Sequence, residues 1–144
     1  MKYFLSIGSN VEPAKNIPAC LKLLKETFPS AKFSSVYETD PVGPAGKEKF
    51  WNLAASLEID LAKPALLEKL RALEEKLGRR RDPQNKFAAR SIDLDILPQP
   101  GWQDFGFIVV PLSEIANEKD TETGKTFGEL AQKFASREGL RKIL

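Results

Sequence analysis

Apolar and polar residues alternate along several stretches of this chain and recur at helical spacing along others. Lys2 to Ile7 ("KYFLSI") reads as a strand that ends at the turn residues Gly8, Ser9 and Asn10. Ile17, Cys20, Leu21, Leu24 and Phe28 then recur on one helical face, with Pro18 tolerable in the first turn and Pro29 as the stop. A second strand is predicted over about Ala31 to Glu38, before the Pro- and Gly-rich loop "TDPVGPAGKEK". Phe50 to Leu61 alternates throughout. Trp51, Leu53, Ala55, Leu57, Ile59 and Leu61 make one face, and Phe50, Asn52, Ala54, Ser56, Glu58 and Asp60 the other. Pro64 opens a helix whose stripe is Leu66, Leu70, Leu73 and Leu77, and Gly78 closes it. A strand over residues 90 to 96 ("RSIDLDI") and another at Phe107 to Val110 follow. Two short helices are predicted near Leu112 to Ala116 and Phe127 to Ala135, joined by the polar turn "DTETGK".

The order β-α-β-β-α-β predicts an α+β, ferredoxin-like sandwich, an antiparallel sheet with helices on one face and the other open. The chain shows no repeat or linker, so residues 1–144 are expected to form a single domain. In that arrangement Ile92, Leu94 and Ile96 face the helices with Trp51, Leu53 and Ala55. Phe50, Asn52, Asp93 and Asp95 share the open face.

The strand "RSIDLDI" raises a chemical question, because Asp93 and Asp95 place two like charges on one face, on the order of 7 Å apart. Such a pair needs a cation, a hydrogen-bonding partner or full solvation. A half-exposed strand with its wet face outward is the simplest answer, and the neighbours shift it. The chain holds no histidine and one cysteine, Cys20, which excludes histidine-based triads and bases, histidine-containing zinc sites and an internal disulfide. Chemistry must therefore run on carboxylates, Arg, Lys, backbone dipoles or an oxygen-bound metal. A net charge of +2 singles out neither nucleic acid nor membrane. No apolar run reaches membrane-span length and no signal-peptide pattern is present, so a cytoplasmic location is expected.

Between the second helix and the carboxylate strand lies "GRRRDPQNKFAAR", where Arg79, Arg80, Arg81, Lys86 and Arg90 face Asp82 alone. A loop this basic beside two carboxylates suits a polyphosphate: Arg forks the phosphate oxygens, and a divalent cation bridges phosphate to Asp. A solvated basic loop is the bland alternative. Phe50 and Phe107 could clamp a flat heterocycle whose edge Asn52 would read. Thr39 to Gly43 is a turn that could lend backbone groups. Arg71 and Glu74, one helical turn apart, read by default as a surface pair worth little.

Taken in order, "SIGSN" (6–10), "YETDPVG" (37–43), "FWN" (50–52), "EEKLGRRR" (74–81), "RSIDLDIL" (90–97) and "GFIVVPLSEIA" (106–116) resemble the 6-hydroxymethyl-7,8-dihydropterin pyrophosphokinases of folate biosynthesis. The resemblance implies transfer of pyrophosphate from ATP to a pterin alcohol. It also implies two Mg2+ ions held by Asp93 and Asp95, and triphosphate held by Arg79, Arg81 and Arg90. The pterin would stack between Phe50 and Phe107, with its edge read by Asn52, Thr39 and the backbone near Val42. Glu74 would be a helix carboxylate near the nucleotide, and Phe87 would stand for a loop tryptophan. The implied catalytic set is Arg79, Arg90, Asp93 and Asp95, in a monomer without nucleic-acid or membrane partners.

Two departures from the pattern stand out. The connection "LPQPGWQDFG" (97–106) is short, lacks histidine, and has Phe105 in place of an expected Arg; Arg71 stands where a Gln is usual. Groups on the adenosine side are thus fewer than those for pterin and metal. One rival reading is a pterin-binding paralogue with weak or lost nucleotide use. Another is an RNA-binding module with an open sheet, which fits poorly with two carboxylates facing the ligand.

Overall fold

The structure is a computed structural model and describes residues 1–39, 49–78, 92–134 and 140–143. It builds an antiparallel six-stranded sheet from β1 (Lys2–Ser9), β2 (Lys32–Phe33), β3 (Tyr37–Thr39), β4 (Phe50–Glu58), β5 (Asp93–Ile96) and β6 (Leu140–Lys142). The strand order is β5-β1-β4-β3-β6, with β2 also on β4. Four helices pack on it: α1 (Pro13–Thr27), α2 (Lys63–Lys76), α3 (Gly106–Ile115) and α4 (Phe127–Gln132). The predicted α+β class and antiparallel sheet are present. The second predicted strand divides into β2 and β3, and β6 is an addition.

The alternation sets the two sides of the sheet. Leu5 and Ile7 of β1, Leu53, Ala55 and Leu57 of β4, and Leu94 and Ile96 of β5 form one buried surface. Ile17, Cys20 and Leu24 of α1 and Leu66, Leu70 and Leu73 of α2 close over it. Cys20 belongs to this core, where burial and then the charge of Glu74 push its thiol up to about 12, so it is unreactive.

The other side is not fully open, contrary to the simple sandwich. Val109, Val110 and Leu112 of α3 and Phe127 and Leu130 of α4 form a second core with Tyr37 and Ala54, with Phe4 packed against it. Phe127 meets Phe4 and Trp102 edge-to-face, at centroid separations of 5.6 and 5.8 Å. The predicted strand at 107–110 is therefore wrong: those residues lie in α3. Ile108-Val109-Val110 before Pro111 reads as a strand because β-branched residues and a proline argue against a helix. Here an apolar segment covering a second apolar surface gains more from burial than propensity costs.

Glu114 ties α3 to the sheet, accepting hydrogen bonds from the Tyr37 hydroxyl and from Ser35 N at 2.8 Å, with Lys142 Nζ at 3.4 Å. Burial raises its proton affinity, but these partners outweigh that and hold the carboxyl below its usual 4.5. Stability from a depressed carboxylate is complete above that value and is lost as pH falls through the folded-state pKa. Glu114→Gln is expected to cost about 1–2 kcal/mol at pH 7 and progressively less in acid, as pH falls through the folded-state pKa. Thermal melts over a descending pH series check this; a loss that stays constant would contradict it.

Candidate active site

β5 is an edge strand, and its register on β1 is Gly8↔Asp93, Ile7↔Leu94 and Ser6↔Asp95. β4 pairs the other side of β1, with Gly8↔Asn52 and Ser6↔Ala54. Asp93, Gly8 and Asn52 thus form one row across three strands, and Asp95, Ser6 and Ala54 the next. β3 extends the surface through Tyr37↔Asn52 and Thr39↔Phe50. Asp93, Asp95, Asn52, Phe50 and Thr39 all lie on the face opposite α1 and α2.

The sequence reads Gly8 and Ser9 as turn residues, but both lie inside β1, where a glycine signals close approach. A Cβ at Gly8 would lie 2.7 Å from Asn52 Oδ1. Its absence lets the buried Asn52 side chain lie over the strand, with Nδ2 donating to Thr39 Oγ1 at 3.5 Å. Gly8→Ala is expected to displace the Asn52 amide. For a heterocyclic substrate whose edge Asn52 reads, KM should rise roughly tenfold or more. Steady-state kinetics with that substrate varied, beside an unchanged circular dichroism spectrum, check this; an unaltered KM would remove Asn52 from that role.

Asp93 and Asp95 are half-buried. Burial, followed by the charge and hydrogen bond of Asp93, pushes the Asp95 carboxyl up to about 7, with Arg71 pulling the other way. The pair is held against its own repulsion. The peptide between them is gripped from α2. Leu94 N donates to Glu74 Oε2 at 2.8 Å, and Arg71 Nη1 donates to Leu94 O at 2.8 Å and lies 2.9 Å from Glu74 Oε1. Glu74 is 1% exposed, so this is no surface pair: it supplies β5 with the partners that a further strand would give. Arg71 Nη2 lies 3.9 Å from Asp95 Oδ1. Glu74 reaches the site through β5, a placement missed because helical spacing does not say which strand lies beneath.

Phe107 arrives on the first turn of α3, on the covered side of the sheet, not on a strand. Its ring is 5.3 Å from that of Phe105, which is 46% exposed. Arg79, Arg81, Arg90, Val42 and Phe87 lie outside the described residues. Their flanking residues Thr39 and Ile92 stand at the same end of the sheet as Asn52 and Asp93.

Among the described residues, no three or more metal-ligating side chains come together. A hard cation that keeps water or phosphate oxygens as its other ligands fits two neighbouring carboxylates, of which Asp95 has a raised proton affinity. No helix among the described residues is long and apolar enough to cross a membrane.

The family profile described as 7,8-dihydro-6-hydroxymethylpterin-pyrophosphokinase matches residues 4–117. The chain is 32% identical to a 2-amino-4-hydroxy-6-hydroxymethyldihydropteridine pyrophosphokinase of Pseudomonas aeruginosa, with 90% of this chain and 89% of the relative covered. It is 29% identical to the Bacillus subtilis protein of the same name, covering 98% and 95%. To the Haemophilus influenzae one it is 28% identical, covering 92% of each. The matched span holds β1 to α3, and with them the row of Asp93, Gly8 and Asn52 and the gripped edge of β5. This chain belongs to the 7,8-dihydro-6-hydroxymethylpterin-pyrophosphokinase family.

Proposed function

We propose that this protein transfers pyrophosphate from ATP to 6-hydroxymethyl-7,8-dihydropterin, with Mg2+ at Asp93 and Asp95, in folate biosynthesis. The observation that carries the reading is the sheet register, which aligns Asp93 with Gly8 and Asn52 and Asp95 with Ser6 and Ala54 in the next row; it supports a cation site beside a ring-edge reader. The hydroxymethyl oxygen attacks the β-phosphorus, the bond from that phosphorus to the oxygen it shares with the α-phosphate breaks, and AMP leaves. Asn52, Thr39 and the backbone near Val42 orient the pterin, while Phe50 and Phe107 bound its faces. Arg79, Arg81 and Arg90 draw in and align the triphosphate. Mg2+, when bound, neutralises charge on the phosphate oxygens. Catalysis is then mostly positioning and electrostatics, with no call for a histidine. The protein acts as a cytoplasmic monomer.

The test is AMP release with the pterin alcohol, Mg2+ and each nucleoside triphosphate in turn. Release that needs both pterin and Mg2+ is expected. Pterin binding with no AMP from any triphosphate would favour the binding paralogue.

The short 97–106 connection adds a specificity prediction. Its Trp102 and Gln103 are buried, and Trp102 packs on Phe127, so neither is offered to a base. With few groups left to read base edges, ATP and GTP should serve within roughly tenfold of each other in kcat/KM, about 1.4 kcal/mol. Affinity for both should fall markedly as salt rises. A strong ATP preference would contradict this account of the segment.

A further inference from the structure

Arg71 is a cation that cannot step aside. Its Nη1 is held by the Leu94 carbonyl at 2.8 Å and by Glu74 Oε1 at 2.9 Å, and Glu74 is itself anchored by the Leu94 amide. Its Nη2 is left 3.9 Å from Asp95 Oδ1, on a side chain that keeps 32% exposure. A flexible lysine facing a carboxylate pair would swing away when a divalent ion arrived; a guanidinium held at both Leu94 and Glu74 stays. A fixed positive charge at that distance repels a free divalent ion and attracts a polyphosphate.

We propose that Arg71 is a fixed counter-cation that weakens the hold of Asp93 and Asp95 on a free divalent ion and strengthens the hold of the site on a polyphosphate. Metal and triphosphate are therefore taken up together. The inference rests on the metal–phosphate reading of the site given above. It concerns how the two ligands are coupled, since a ligand that brings its own negative charge cancels the repulsion that Arg71 exerts on the metal.

The experiment titrates the protein with Mn2+ alone, read by electron paramagnetic resonance, and separately with inorganic tripolyphosphate, read by calorimetry. Arg71→Gln removes the charge and keeps an amide donor for Leu94 O. Its Mn2+ affinity is expected to rise about threefold or more and its tripolyphosphate affinity to fall by a similar factor. Arg71→Lys, which keeps the charge on a stem that can swing away, is expected to fall between wild type and Arg71→Gln for Mn2+ and to remain within about twofold of wild type for tripolyphosphate. A purely structural role would lower both affinities in Arg71→Gln, and that result would overturn the proposal, as would a lysine variant that behaves like the glutamine one. If Arg71→Gln does not fold, the doubly neutral Arg71→Gln/Glu74→Gln protein keeps the Leu94 grip and should show the same opposite signs at smaller size; shifts of one sign would again overturn it. Wild-type protein that binds neither probe would bring down the metal–phosphate reading itself, whereas binding of both with the wrong variant response would bring down only the role of Arg71.

Discussion

Asp95→Asn is expected to lower turnover by roughly a thousandfold or more while leaving the fold intact, because an amide holds Mg2+ far less well than a carboxylate and cannot neutralise it. The structure adds a second signature. The Asp95 carboxyl is raised from 3.8 to about 7, through burial first and Asp93 second, so protons would compete with a metal held there as pH falls through neutrality. For a carboxyl raised in this way, ionisation works against folding: the cost is absent below the unfolded value and complete above about 7. Metal-free Asp95→Asn should therefore melt at or above the wild-type temperature at pH 8, even as turnover collapses. Near-wild-type activity would exclude Asp95 as an essential ligand, and a lower melting temperature at pH 8 would contradict the stored repulsion.

Glu74→Ala should be the most destabilising of these changes. Removing it strips the Leu94 amide of its acceptor and leaves Arg71 without its buried partner at 2.9 Å. Breaking a buried ion pair from one side costs about 3–5 kcal/mol, on the order of a 10 °C fall in melting temperature for a chain of this size. The damage should centre on β5, so amide exchange there should quicken more than in β4. Glu74→Gln, which keeps an oxygen for Leu94 N–H, should lose markedly less. A loss below about 1 kcal/mol for Glu74→Ala, the range of a solvated pair, would mean that the grip on β5 contributes little.

Much of this architecture could be read along the chain. The alternation from Phe50 onward and the leucine stripe of α2 place the first core correctly, because period-two and period-3.6 patterns are set by local geometry. The same rule puts Asp93 and Asp95 on one face and Asn52 on the same face two strands away. With no histidine and one buried cysteine, the chemistry is confined to oxygen and nitrogen charges before any fold is known. The ordered motifs carry the family.

Other features depended on elements distant in sequence. Ile108-Val109-Val110 became helix because a second apolar surface, from Phe4 to Phe127, was there to be covered, and no local signal reports a surface assembled from elsewhere. Gly8 matters because Asn52 of the neighbouring strand fills the space a Cβ would take. Arg71 and Glu74 look alike on a helical wheel whether they face water or a strand edge. Only the packing of α2 beside β5 turned them inward to the Leu94 peptide and set a fixed positive charge next to Asp95. The sequence by itself determined which residues could do chemistry and which face of each element they occupy, since both follow from residue type and local period. Tertiary structure alone decided which of those faces meet, because strand register and helix docking are fixed by burial summed over the whole molecule.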